Sequence, residues 1–98
     1  MQLRDFDVNL LITMEAIWTT RNVSNAAKTL NLAQSTVSAA LNRLRLALGD
    51  ELFNWSGSEM VPTPLAEQIM PDVSKLLNGV RTVLTKSLGQ VDTVERRM

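Results

Sequence analysis

The sequence contains neither cysteine nor histidine. Without cysteine there is no disulfide framework and no thiolate metal site, and without histidine the commonest general base and metal ligand is missing. The chain also carries no glycine-rich phosphate loop and no metal-ligand cluster. The adjacent carboxylates of Asp50 and Glu51 are explained more simply as charges at a helix end. We therefore expect no enzymatic activity, no cofactor and no bound metal.

Long apolar runs are also lacking, since no stretch of about 18 apolar residues is present to span a membrane. The first residues contain two acids, Asp5 and Asp7, and no apolar core of a secretory signal. We expect a cytoplasmic protein without membrane contact. With 98 residues, of which 45% are hydrophobic and 20% charged, the chain is typical of one small globular domain. Such a domain is marginally stable alone, which favours dimerisation.

Charge is segregated along the chain, although ten basic and ten acidic residues cancel overall. Residues 21–49 contain four basic side chains and no acidic one, whereas residues 50–72 contain five acidic side chains and no basic one. A segregated field attracts a polyanion to one face of a protein even when the net charge is zero. The basic block is therefore a candidate nucleic-acid surface.

The first half of the sequence predicts three helices. Apolar residues recur at steps of three and four between Asp7, a candidate N-cap, and Thr20. Ser24 is a candidate N-cap for a short helix that ends near Leu30, and residues 31–33 form a turn. A third helix runs from Gln34 to Leu48 and ends before Gly49. Its inward positions are spaced by four, three and four residues: Val37, Leu41, Leu44 and Leu48.

The second half predicts a small hairpin and a long helix. Two short runs, residues 51–55 and 60–61, flank a turn that contains Gly57. Thr63 then caps a helix whose first position is Pro64, and its apolar stripe persists to about residue 88 with a kink expected at Pro71. The tail, residues 89–98, has no periodicity and is predicted to be disordered.

This order of elements predicts a mostly α fold. It is that of a winged helix-turn-helix, with three helices and a small two-stranded wing, followed by a long linker helix. The predicted organisation is a DNA-binding domain over residues 1–62, a linker and dimerisation helix over 63–88, and the tail over 89–98.

The third predicted helix supplies most candidate DNA contacts, because the major groove, about 12 Å wide, admits one α-helix. Gln34, Ser35 and Ser38 lie in its first turns, which usually meet base edges, whereas the later arginines are assigned to phosphates. The N-terminus of the preceding helix is a further phosphate site. On the wing, Trp55 either packs against the helices or contacts DNA. The candidate DNA-binding residues are Gln34, Ser35, Thr36, Ser38, Ala39, Asn42, Arg43, Arg45, Ser24, Asn25, Lys28 and Trp55.

The apolar stripe of the last helix is too long for a short domain to cover. A helix with such a stripe buries it against a partner, which favours a homodimer. The candidate dimer residues are Leu65, Ile69, Val73, Leu76, Leu77, Val80, Val83 and Leu84.

Several motifs resemble the LysR-type transcriptional regulators. Residues 23–38, VSNAAKTLNLAQSTVS, are similar to the helix-turn-helix signature of that family. Three later motifs follow in the order and spacing of the family: LNRLR at 41–45, GDELF at 49–53 and MVPTP at 60–64. Residues 7–11, DVNLL, are similar to the branch with nodulation and aromatic-degradation regulators. The resemblance extends over residues 1–88.

The resemblance implies a sequence-specific regulator that binds double-stranded operator DNA, with linker helices paired antiparallel in a dimer. It also implies a C-terminal sensing domain, so a small-molecule effector is expected only if such a domain lies outside this chain. The chain departs from the family pattern where Ala33 replaces a capping Ser or Thr and Trp55 replaces a wing arginine. Because arginine is the usual minor-groove residue, we expect weaker phosphate binding than in typical relatives.

A second hypothesis belongs to a different class of function. In this hypothesis the chain is a protein-interaction module that forms heterodimers with a related regulator through its linker helix and modulates it. The weakly charged wing motivates this alternative.

Overall fold

The computed structural model describes the backbone of residues 1–95 and the side chains of residues 1–88. It confirms the mostly α, winged helix-turn-helix fold followed by a long helix. A short 3-10 helix, Leu3–Asp5, precedes the main elements. These are α1 (Leu10–Thr20), α2 (Val23–Leu30), α3 (Gln34–Leu48), β1 (Phe53–Trp55), β2 (Met60–Pro62) and α4 (Pro64–Glu95).

The start of α1 lies slightly later than the sequence predicted. Asp7 was expected as the N-cap, but α1 begins at Leu10. The Asp7 carboxylate instead accepts a hydrogen bond from the backbone N–H of Asn9 at 3.0 Å and so stabilises the turn that leads into the helix. The helix ends at Arg21, which adopts a left-handed backbone with φ of 58°.

The cap of α2 differs from the prediction. Ser24 was expected in this role, but Asn22 occupies it, since its Oδ1 accepts a hydrogen bond from the backbone N–H of Asn25 at 2.8 Å. Asn22 has the extended backbone of an N-cap, with φ of −152°, whereas Ser24 already lies inside the first turn. At the other end Asn31 has φ of 58°, and this confirms its predicted role as the residue that ends the helix.

Helix α3 has the predicted bounds and ends at Gly49, which has φ of 66°. Its N-terminus has no side-chain cap, because Ala33 stands there. Val37, Leu41 and Leu44 are buried, so one side of the helix packs into the core and fixes its orientation. The largest fully buried side chains of the core come from α1, from α3 and from the start of the wing: Phe53, Met14, Ile17, Leu44, Leu52 and Val37.

The predicted hairpin is confirmed as an antiparallel pair, with Phe53 opposite Pro62 and Trp55 opposite Met60. Two such short strands are not stable alone. They are held by the buried ring of Phe53 and by a hydrogen bond of 2.8 Å from the backbone N–H of Met60 to the carbonyl of Arg21, at the end of α1. The wing therefore has a fixed position relative to the helices.

Asp50 connects the end of α3 to the start of α4. Its Oδ2 accepts hydrogen bonds from the backbone N–H of Leu52 at 2.8 Å and from the hydroxyl of Thr63 at 2.6 Å. Thr63 Oγ1 in turn accepts from the backbone N–H of Ala66, which confirms Thr63 as the cap of α4. Leu52 is fully buried with φ of 65°, a conformation that costs about 1–3 kcal/mol in a non-glycine residue.

Helix α4 is longer than predicted. Its backbone is helical from Pro64 to Glu95 and passes through Pro71, where the loss of one backbone hydrogen bond is offset by the burial of Met70 and Val73. The predicted helix end at residue 88 is thus too early, because the lack of apolar periodicity does not itself stop a helix. The predicted disorder of residues 89–98 does not agree with the helical backbone of residues 89–95, and residues 96–98 lie outside the described part of the chain. No helix in the described part of the chain has the length and apolar character needed to span a membrane.

Candidate nucleic-acid interface

One long side of α3 is exposed. Ser35, Ala39 and Asn42 are spaced by four and three residues and lie opposite the buried positions of the same helix. Gln34 and Thr36 at its start are also exposed, and Ser38 is half-buried on one flank. The structure therefore places the predicted base-contacting residues on the solvent side of a helix whose other side is fixed in the core.

A cleft of about 220 Å³ lies beside the start of α3. It brings together predicted residues from three elements: Ser24 of α2, Gln34 of α3 and Trp55 of β1. The Trp55 side chain is 58% exposed, so it is not a core residue and has a free ring surface next to Gln34. Asn22 completes the rim and was missed, since its capping role was assigned to Ser24.

Arg45 does not lie free on the surface of α3. Its Nε donates to the carbonyl of Glu51 and its Nη2 to the carbonyl of Phe53, both at 2.8 Å. Its Nε also lies 3.5 Å from the carboxylate of Glu51. Arg45 therefore ties α3 to the wing, and the geometry gives no support to its predicted phosphate contact, because Nε, Nη1 and Nη2 all have partners within the chain.

Two further arginines of the basic block have partners inside the chain. The guanidinium of Arg21 lies 4.7 Å from the ring centre of Trp18 and donates to the Trp18 carbonyl. Arg43 keeps a longer contact of 3.4 Å to the carboxylate of Asp7 and is 62% exposed, so it remains accessible to an external anion. The basic block has four cationic side chains in the sequence, and in the fold most of them contact a carbonyl, a carboxylate or an aromatic ring of the same chain.

The start of α2 is exposed to solvent at Asn25, with Lys28 one turn later on the same helix. Within the part of the chain that the structure describes, Lys28 has no salt-bridge partner. A helix N-terminus attracts anions through its free N–H groups, and a lysine nearby adds a full charge. Lys28 is thus the cation of the basic block that the fold leaves most available for a phosphate.

The predicted dimer residues divide into two groups. Val73 and Leu77 are buried in the core of the chain itself, and Leu65 and Ile69 are half-buried against that core. Burial within the chain itself accounts for Val73 and Leu77 without a dimer seam, because helical spacing does not show which surface covers a stripe. The remaining residues are 48–65% exposed: Leu76, Val80, Val83 and Leu84.

An apolar groove of about 170 Å³ lies between α1 and α4. It is lined by Leu76 and Val80 of α4 together with Val8, which precedes α1, and Ile12 in the first turn of α1. Val8 and Ile12 are 47% and 41% exposed. Neither residue was predicted from the sequence to line a contact surface, although their spacing of four residues, away from the main apolar stripe of α1, indicates a second apolar face.

Glu15 of α1 and Arg81 of α4 form a bidentate ion pair. Arg81 Nη2 donates to Oε1 at 2.5 Å and Nη1 donates to Oε2 at 3.2 Å. The hydrogen bonds to Glu15 and the charge of its carboxylate raise the pKa of Arg81. Neither residue had been assigned a role from the sequence, since they are 66 positions apart.

These elements define the class of protein: a winged helix-turn-helix with an exposed helix held between a short helix and a wing, the architecture of a DNA-binding domain. Residues 8–67, more than half of the chain, match the family described as "Bacterial regulatory helix-turn-helix protein, lysR family". The chain belongs to this family, as the motifs of residues 23–64 indicated.

Individual relatives agree with this assignment. "Nodulation protein D 1" of Rhizobium leguminosarum bv. phaseoli is 44% identical over 77 residues, which are 79% of this chain and 24% of that protein. The chain thus spans about a quarter of the length of the curated relatives it matches.

Two solved structures share the fold. The probable transcriptional regulator PA0477 from Pseudomonas aeruginosa has a TM-score of 0.83 and 40% identity, covering 86% of this chain and 28% of that chain. The complex described as "BenM_DBD/catB site 1 DNA Complex" has a TM-score of 0.79 at 21% identity, covering 88% and 97%, and shows the same fold in a protein bound to DNA.

Proposed function

We propose that this chain is the DNA-binding part of a transcriptional regulator and inserts α3 into the major groove of a specific operator. The observation that carries the proposal is the exposed polar side of α3, held rigidly because its opposite side is buried. A recognition helix needs this arrangement, since base contacts require a surface that does not rotate relative to the groove. The name of PA0477, a relative at 40% identity, agrees with it.

The DNA contacts divide by position. Gln34, Ser35 and Ser38 meet base edges, and Asn42 has an amide that pairs bidentately with adenine. Ala39 and the methyl group of Thr36 contribute apolar contact with thymine methyl groups.

Phosphates are contacted from both flanks of α3. Lys28 and the exposed N-terminus of α2, with Ser24 and Asn25, lie on one flank, and Arg43 lies on the other. Trp55 contacts the DNA backbone or a base next to Gln34, whereas Arg45 acts by holding the wing.

The protein binds DNA as a homodimer. The exposed apolar residues of α4 need a cover, and a second copy of the same helix supplies a matching stripe. On α4 the dimer seam contains fewer residues than the sequence predicted, but it extends onto α1. It comprises Leu76, Val80, Val83, Leu84, Val8 and Ile12. Residues 1–62 form the DNA-binding domain and 63–88 the linker, of which the first half packs on that domain. Its place of action is the cytoplasm, where bacterial DNA lies.

The test is selection of a binding sequence from a random duplex library, followed by titration of variants on the selected duplex. Gln34→Ala should lower affinity about tenfold and lose discrimination at one base pair, since a bidentate contact contributes about 1–3 kcal/mol. The matched control is Gln68→Ala, the same change at an exposed position of α4. Failure to select any sequence would contradict the proposal.

A second candidate function is supported by the engagement of Arg21 and Arg45 within the chain, which lowers the charge available for DNA. In this alternative, the exposed stripe of α4 pairs with a related regulator and modulates it. A gel-shift assay on the promoter region of the chain's own gene distinguishes the two. Specific retardation by the purified chain supports direct binding, whereas retardation only with a copurified regulator supports the heterodimer.

A further inference from the structure

The contact between Glu15 and Arg81 differs from the other ion pairs of the described side chains. It is bidentate, whereas the pairs of Arg43 and Arg45 with carboxylates are single contacts of 3.4 and 3.5 Å. Asn78 adds a third partner, since its Oδ1 accepts from Arg81 Nη1 at 2.9 Å. A forked guanidinium–carboxylate contact restricts both distance and orientation, and a single contact does not.

The pair lies where α4 leaves the body of the domain. Leu77 is the last buried residue of α4, and residues 78–88 are all exposed. Among the hydrogen bonds between the described side chains of α4 and the rest of the domain, those of the ion pair lie farthest along the helix. The other end of the pair, Glu15, belongs to α1, which packs against both α2 and α3. A rigid connection therefore runs from the recognition helix through α1 to the exposed part of α4.

The direction of α4 matters because the exposed part is a lever. From Leu77 to Leu88 the helix extends about 16 Å, so an angular change of about 10° at Leu77 displaces its end by about 3 Å. This displacement is close to the rise of one base pair, about 3.4 Å in B-DNA. In a dimer joined through this segment, a swing of this size in one or both protomers changes the distance between the two recognition helices by about one to two base-pair rises.

We infer that Glu15 and Arg81 are positioning residues that fix the direction of α4 and thereby set the operator half-site spacing that the dimer accepts. The inference rests on the proposed function, since it presupposes a DNA-binding dimer joined through α4. Burial of Val73 and Leu77 attaches the helix to the domain, and the ion pair limits how far the helix swings on that attachment.

The test uses the full chain and a series of duplexes in which the selected half-sites are separated by one or two base pairs more or fewer. The original chain should show a narrow optimum. Arg81→Gln should flatten the profile, reducing the penalty for a one-base-pair change about fivefold, while affinity at a single isolated half-site stays unchanged. The matched control is Lys75→Gln, which removes one charge from an exposed side chain of the same helix and should keep the narrow profile.

Reversal of the pair provides the rescue. Arg81→Glu alone should flatten the profile because it places two carboxylates together, and the double variant Glu15→Arg with Arg81→Glu should restore the narrow optimum. Lower stability of Arg81→Gln with an unchanged spacing profile would overturn the inference, since it would show a purely structural role.

A measurement without DNA separates this inference from the proposed function. Because the chain has no cysteine, Thr19→Cys on the exposed surface of α1 gives one label per protomer. The distance distribution between two spin labels in the dimer should be narrow and should broaden in Arg81→Gln. A chain that remains monomeric contradicts the proposed dimer, whereas a dimer with equal distributions for both forms contradicts only the role of the ion pair.

Discussion

The two segments of α4 have similar apolar spacing but different surroundings. In the proximal segment, residues 64–77, the stripe of Ala66, Met70, Val73 and Leu77 is buried in the domain. In the distal segment, residues 78–88, Val80, Val83 and Leu84 remain about half exposed or more. Helical periodicity shows that a face is to be covered, but it does not show by what. The proximal segment belongs to the fold, and the distal segment is available for a partner.

A parallel contrast exists on α3. Arg45 donates to the wing backbone and is part of the fold, whereas Asn42, three residues earlier, is exposed on the outward side and only accepts a long hydrogen bond of 3.3 Å from Arg45 Nη1. Neighbouring polar residues thus divide into those that hold α3 in place and those that remain exposed to solvent.

The strongest test of the contrast concerns the proximal segment. Met70→Ala should destabilise the domain by about 2–5 kcal/mol, because truncation of a side chain only 2% exposed leaves a cavity. Urea unfolding at a protein concentration below dimerisation measures the effect. Leu76→Ala is the control on the exposed side of the same segment and should cost less than about 1 kcal/mol in the monomer. Equal losses for the two variants would break the distinction between buried and exposed faces.

The second test concerns the distal segment. Val83→Glu should weaken dimerisation about a hundredfold or more, because it buries a charge in an apolar seam. Monomer stability should change by less than about 0.5 kcal/mol, since residue 83 is 65% exposed. Sedimentation equilibrium measures the dimer constant. Thr85→Glu introduces the same charge two residues away, outside the apolar stripe, and should leave the dimer intact.

The third test compares the two arginines of α3. Arg45→Gln should destabilise the domain by about 1–3 kcal/mol, since it leaves two backbone carbonyls without their donor. Arg43→Gln should cost less than about 1 kcal/mol of stability, because its contact with Asp7 is exposed, but it should weaken DNA binding. Thermal unfolding and DNA titration of both variants give the comparison. A larger stability loss for Arg43→Gln would reverse the assignment of the two roles.

The smallest effect is expected in the salt dependence of DNA binding. Lys28 and Arg43 are the accessible cations of the basic block, so the dimer should neutralise about four to six phosphates, with a slope of about −4 to −5 in a plot of log affinity against log salt concentration. Lys28→Gln should reduce the slope by about two per dimer. A slope well beyond about −6 would indicate phosphate contacts from residues that the fold engages internally.

Much of the fold follows from local patterns. The bounds of α3, the turn at Asn31, the stop at Gly49 and the start of α4 at Thr63 and Pro64 agree with the structure, because each depends on the backbone preference of a few adjacent residues. The predicted cap of α2 was wrong because two neighbouring residues have the same local preference. Asn22 and Ser24 are both suitable caps, and only the extended backbone of Asn22 selects between them.

The candidate site was less predictable than the fold. Ser35 and Asn42 were identified because helical spacing places them opposite a buried stripe, and Gln34 because it lies in the first turn of α3. The roles of Arg45 and Arg81 were not identifiable, since their partners lie on other elements of the fold. The sequence shows how many charged side chains there are. Whether such a side chain is available for an external ligand depends on the oxygen atoms that the fold brings within hydrogen-bonding distance of it.

By itself, the sequence determined the order of elements, the family and the outward residues of α3, because these depend on spacing and on local backbone preference. The tertiary structure decided three matters that involve distant partners. It placed Val73 and Leu77 in the core, directed Arg45 to the wing and joined Glu15 to Arg81. The physical reason is that side-chain chemistry determines which groups a residue is able to bind, whereas the fold determines which of those groups lie within contact distance.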